Sequence, residues 1–194
     1  MPPKPKITKE MIVDTAFNIV QKEGADKVTA RSISEQLNCS TQPVLYYFST
    51  VDDIKKSVHA KADEYHTAYI MGKERDYENP MLAIGMNYIK FAIDERNLFR
   101  FLFQSNEFSG IDMLDLLESE ELLPILTVLQ SELDMSMEDT KGVFSTLFIF
   151  AHGYASLYAN NTMVYDERNV MKALENIFFG AIYSVKGEQN EKNN

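Results

Sequence analysis

Residues Thr29 to Phe48, TARSISEQLNCSTQPVLYYF, constrain the fold most, because their punctuation fits two short helices joined by a tight turn. The first is predicted from Ala30 to Leu37 with Thr29 as N-cap, and its apolar Ile33 and Leu37, four apart, share one face. Asn38-Cys39 supplies the turn, since asparagine tolerates left-handed backbone. Ser40 is expected to cap the second helix. Pro43 falls in that helix's first turn, where a missing N–H costs little because no intrahelical acceptor exists for it. Thr41, Gln42, Tyr46 and Tyr47 are placed on the exposed side, with Val44, Leu45 and Phe48 facing inward. Hydroxyls and a carboxamide in that position suit base edges and phosphate oxygens. Two helices of an ordinary bundle would carry the same pattern, so the stretch by itself leaves both readings open.

The rest of the chain reads as helices throughout. Thr8 opens a first helix whose Ile12, Val13, Ala16, Phe17, Ile19 and Val20 recur at three- and four-residue steps, and Gly24 ends it. Thr50, with Asp52 and Asp53 in the positive first turn, caps a fourth helix expected to reach about Lys73, with Ile54, Val58, Ala62 and Tyr65 inward. Asn79-Pro80 starts a fifth through about Glu95, lined by Met81, Ile84, Tyr88, Phe91 and Ala92. A short apolar piece, Leu98 to Phe103, follows. Ile111 to about Leu133 is a further helical stretch in which Pro124 is expected to introduce a split or kink. Ser136, with Glu138 and Asp139 behind it, caps a long helix to about Asn160 that is apolar nearly all round. Glu167 to about Val185 forms the last helix, with Val170, Leu174, Ile177, Phe178, Ala181 and Ile182 as its stripe. The polar residues 188–194 are expected to form a disordered tail. No strand pattern and no repeat is present. The expected fold class is all-α, about nine helices, with an N-terminal domain over 1–62 and a second over 63–187.

Composition bounds the function. The chain has 194 residues, 45% of them hydrophobic and 25% charged, enough apolar material for a core. No apolar run reaches the eighteen residues of a membrane span. The opening MPPKPKITKE lacks the apolar stretch of a signal peptide and reads equally as a mobile basic arm or a frayed terminus. The single cysteine, Cys39, excludes an internal disulfide and fits a cytoplasmic location. His59, His66 and His152 lack zinc-helix spacing, so no metal and no cofactor is expected. Phosphate loops and nucleophile elbows are also missing, which argues against an enzyme. The net charge is −10, yet residues 1–60 hold eight Lys/Arg against seven Asp/Glu and are near neutral, so the acidity belongs to the remainder. A near-neutral module on an acidic body remains compatible with nucleic acid. Phosphate contacts would then come partly from hydroxyls.

A first helix ending in Gly24, then VTARSISEQL, a turn, STQPVLYYF and an acidic-capped fourth helix together resemble the tetracycline-repressor (TetR) family of transcriptional regulators over about residues 8–60. The chain departs from the family pattern at Ser34, Asn38, Leu45 and Val51. At Leu45 a phosphate-contacting tyrosine is usual, and at Val51 a lysine. The resemblance implies base contacts from Ser40, Thr41, Gln42 and Pro43, base or backbone contacts from Tyr46 and Tyr47, and phosphates near Thr29, Ala30 and Arg31. Lys55 is a further candidate for a phosphate, one turn beyond the missing lysine. Phe150 to Leu157, FAHGYASL, is similar to a pattern in the ligand-domain helix of some members. The implied protein is a repressor that binds double-stranded DNA at a palindromic operator as a homodimer and is released by a small-molecule effector. A helix-turn-helix protein that has lost specific DNA binding and serves as a protein-binding adaptor is the alternative.

The last two long helices are too apolar for one-sided surface helices. Two from each of two subunits would make a four-helix bundle, so a homodimer is expected through roughly 143–160 and 170–185. Candidate effector-pocket walls are Tyr69, Tyr88, Phe91, Phe103, Met113, Phe148 and His152, with Met86, Phe99 and Phe144 beside them. Met and aromatic residues on helix stripes are more often plain core than ligand walls, and a histidine on an apolar helix, as at His152, is more often a hydrogen-bonded core residue than an effector contact.

Overall fold

The computed structural model describes residues 7–72, 77, 79–104, 117–120 and 122–192, with side chains as far as 187. Among these the chain is all-α, with no strand and nine α-helices. They are α1 (Lys9–Glu23), α2 (Ala30–Gln36), α3 (Gln42–Tyr47), α4 (Val51–Ile70), α5 (Pro80–Asp94), α6 (Arg96–Phe103), α7 (Leu123–Leu133), α8 (Met137–Asn160) and α9 (Glu167–Lys192). No helix among the described residues is long and apolar enough to cross a membrane.

Helix starts follow the capping chemistry of the sequence. Thr8 Oγ1 accepts from the Met11 N–H. Thr50 Oγ1 accepts from the Asp53 N–H while Asp53 returns a bond to the Thr50 N–H. Asn79 Oδ1 accepts from Met81 and Leu82, and Ser136 Oγ accepts from Asp139. Each cap satisfies donors that an α-helix leaves orphaned. Of the split or kink expected at Pro124, the structure has the split: Pro124 lies in the first turn of α7 and starts that helix after non-helical residues, because its missing N–H has no partner to lose there. Residues 111–116 of the expected longer stretch lie outside the described residues. The tail expected to be disordered continues α9 as far as Lys192: Glu, Gln and Lys are good helix formers, and no proline stops them.

The chain divides into two compact units, Met1–Tyr69 with Asp94–Glu107, and Ile70–Ile93 with Phe108–Asn194. In the first, Ile12, Ala16, Ile19 and Val20 of α1 are buried, as are Ile33, Val44, Ile54, Val58 and Ala62, and α1 packs on α2 and α3. The inward stripe of α4 continues to His66, four residues at a time. Tyr65 is displaced outward, where its ring edge meets Phe17 and its hydroxyl donates to Glu95. Helix α6 joins this unit and packs on α1, burying Leu98, Phe99, Phe101 and Leu102. Gln21 Nε2 donates to both oxygens of Glu95, and Asn97 Nδ2 donates to the Gln21 carbonyl, fixing the start of α6 to the end of α1.

In the second unit α5 is buried on several sides, with Met81, Leu82, Met86, Tyr88, Ile89, Phe91 and Ala92 in the core. Its buried Asn87 donates to the carbonyls of Ile70 and Gly72, which keeps that amide satisfied. Helix α8 packs against α7 and α9. Val143, Phe144, Leu147, Ala151, Ala155, Tyr158 and Ala159 form its buried face.

Candidate nucleic-acid interface

Helices α2 and α3 are set by two local devices. Thr29 and Ser32 form a reciprocal capping box at 3.0 Å in each direction, which starts α2. At its end Asn38 takes φ 50°, its N–H donates to the Glu35 carbonyl, and the Cys39 N–H donates to Ser34. This is a Schellman closure with asparagine in the left-handed position. The backbone leaves α2 in a fixed direction and enters α3 after five intervening residues, 37–41.

Ser40 does not cap α3. Thr41 occupies the N-cap position in helical backbone with no side-chain cap bond, and Pro43 in the first turn presets the backbone. The hydroxyls of Ser40 and Thr41 are therefore not used in a helix cap, and both residues are exposed. Val44 is fully buried and Phe48 nearly so, and this pair, four apart, anchors the helix. Lys9 lies 5.3 Å from the Phe48 ring centre.

Hydrophobicity alone places Leu45 inward, but it is 59% exposed. The reason is angular: Leu45 is four residues from Thr41 and three from Gln42, so it shares their face, about 100° round from Val44. Tyr46 is 82% exposed, and its ring meets that of Tyr47 edge-on at 5.1 Å. The presented surface is thus Ser40, Thr41, Gln42, Leu45 and Tyr46, with Pro43 and Tyr47 half-buried beside them. The spacing to Thr41 is the signal that would have found Leu45.

Thr29, Ala30 and Arg31 lie at the start of α2. Arg31 Nε donates to Glu35 at 2.8 Å, one turn along the same helix, and this bond raises the guanidinium's pKa. Both side chains are exposed, so the pair is weak and open to exchange for another anion. Lys55 is half-buried in the second turn of α4.

Tyr88, Phe148 and His152 come together in the second unit: the Tyr88 hydroxyl is 2.8 Å from His152 Nδ1, and the Phe148 ring lies 5.8 Å from each of the other two rings. Phe144 stacks on Phe148 at 6.1 Å. Burial lowers the His152 pKa, which keeps the imidazole neutral, and raises that of Tyr88. Phe91 is buried in α5 of the same unit. Tyr69 and Phe103 belong to the first unit. Tyr69 donates to Asp94 at 2.7 Å, and Phe103 meets His66 at 5.0 Å. Phe103 sits there because α6 packs on α1. Met113 lies outside the described residues. No group of three His, Cys, Asp or Glu suited to a metal occurs among the described residues.

No family model matches the chain, and no curated protein is similar to it.

Proposed function

We propose that this protein is a DNA-binding transcriptional regulator of the tetracycline-repressor type, acting in the cytoplasm as a ligand-released repressor on a palindromic operator. The observation that carries the reading is α3: a helix anchored by Val44 and Phe48 that turns Thr41, Gln42, Leu45 and Tyr46 to solvent. A short helix presenting an amide, hydroxyls and an aromatic suits a major groove, where a glutamine pairs bidentately with adenine. The near-neutral first sixty residues on an acidic remainder keep that surface from repelling phosphate.

A homodimer through α8 and α9 belongs to the same reading. Both helices carry apolar side chains away from the buried face: Ile149 and Leu157 on α8, Phe179 and Tyr183 on α9. A Cβ at Gly153 or Gly180 would meet nothing within 4 Å, so a partner helix could approach closely there. Two-fold pairing would present two copies of α3 to two half-sites. The Tyr88–Phe148–His152 cluster is the favoured place for a small aromatic or apolar effector, which would act by binding one domain arrangement better than another.

Binding selection from a random duplex pool at about physiological salt tests the reading. Enrichment of a palindrome, with Gln42→Ala and Tyr46→Ala each weakening its retention at least tenfold, supports it. No enrichment rejects it in favour of a protein-binding adaptor. A monomer mass by light scattering at micromolar concentration rejects the dimer.

A further inference from the structure

Leu45 is the residue of α3 whose chemistry the proposed contacts leave unused. It can neither donate nor accept a hydrogen bond. It nonetheless stands 59% exposed between Thr41 and Gln42 on one side and Tyr46 on the other. Val44 is fully buried and Phe48 nearly so, which holds the helix by its opposite face. Leu45 therefore cannot turn inward without dislodging Val44.

Resting on the DNA-binding reading above, we propose that Leu45 reads the 5-methyl group of a thymine in the major groove and sets sequence specificity there. In that groove the four base-pair arrangements present donors, acceptors or one methyl group. A leucine set against an amino or carbonyl edge strips that edge of water without replacing its hydrogen bond. Against the thymine methyl it excludes water from two apolar groups at once. The axial spacing suits a neighbouring base: three residues advance the helix by about 4.5 Å, a little more than the roughly 3.4 Å between stacked bases. With Gln42 paired to an adenine, Leu45 falls on the next step along the groove. The half-site recognised is thus an adenine followed or preceded directly by a thymine whose methyl faces Leu45.

The test uses the full chain and the palindrome obtained by selection. Each thymine of one half-site is replaced in turn by deoxyuracil, which removes only the methyl group. Wild-type protein should lose about fourfold in affinity at one thymine, the effect of one buried methyl, and little at the others. Leu45→Ala should bind the thymine and uracil duplexes equally at that position, while keeping its dependence on Gln42. Because Leu45 is exposed, the variant should fold, and matching circular dichroism and melting establish that it does. If it does not, Leu45→Gln, which keeps the side-chain length, takes its place and should likewise bind the thymine and uracil duplexes equally. A selected palindrome with no uracil-sensitive thymine overturns the Leu45 assignment and leaves DNA binding intact, as does equal sensitivity in Leu45→Ala. Failure to select any duplex overturns both together.

Discussion

The Tyr88 hydroxyl and His152 Nδ1 stand 2.8 Å apart, linking α5 to α8 inside the second unit. Burial keeps the imidazole neutral, so either tautomer completes the bond, with the phenol or the ring N–H as donor. Tyr88→Phe keeps the ring contact with Phe148 and removes only the hydroxyl. It should lower stability by about 1 kcal/mol, read by urea unfolding at neutral pH. A double cycle with His152→Phe should show coupling of similar size. Strict additivity would mean the pair contributes nothing.

Acid should act through His66. Burial against α6 lowers its pKa to about 4. The unfolded chain, with an ordinary histidine pKa of about 6.5, takes up the proton first as pH falls. The stability held by the neutral ring is therefore complete above about pH 6.5 and lost progressively down to about pH 4. The full loss is roughly 3 kcal/mol at 1.36 kcal/mol per unit. Carboxylates titrate in the same window, so the measurement is a difference: the fall in unfolding free energy between pH 7 and pH 4 should be smaller in His66→Leu than in wild type by about that amount.

Gly85 is a close-approach site. A Cβ there would lie 2.8 Å from Leu174 Cδ2, and Leu174 is fully buried. Alanine would gain about 1 kcal/mol in helix propensity but force overpacking that costs about 1–3 kcal/mol. Gly85→Ala should therefore lower the melting temperature. Combined with Leu174→Ala, its penalty should vanish, because the new methyl partly fills the space that the shortened side chain leaves. Equal penalties in both backgrounds would show that Leu174 already yields.

The caps of α2 and α3 should respond differently. Thr29→Ala removes one side of the Thr29–Ser32 box and should cost about 1 kcal/mol. Ser40→Ala should change stability by less than about 0.5 kcal/mol, since Ser40 makes no cap bond. Chemical denaturation of both variants checks this. A large loss in Ser40→Ala would mean that its hydroxyl supports the turn after all.

Sequence by itself determined what depends on neighbours in the chain. Thr8, Thr29, Thr50, Asn79 and Ser136 cap the helices that their spacing assigns to them, and Asn38 takes the left-handed turn, because these bonds close within a few residues. The all-helical class followed from the same periodicity. Tertiary structure decided which apolar residue faces which way. Leu45 and Tyr65 have the hydrophobicity of core positions, yet Val44 and His66 fill the core beside them. It also decided that α6 belongs with α1 and α4. Those outcomes rest on contacts between residues 25 to 76 positions apart, such as Tyr69 with Asp94 and Asn97 with Gln21. A helical pattern shows that a face is apolar. Only the fold settles which of several apolar faces finds a partner.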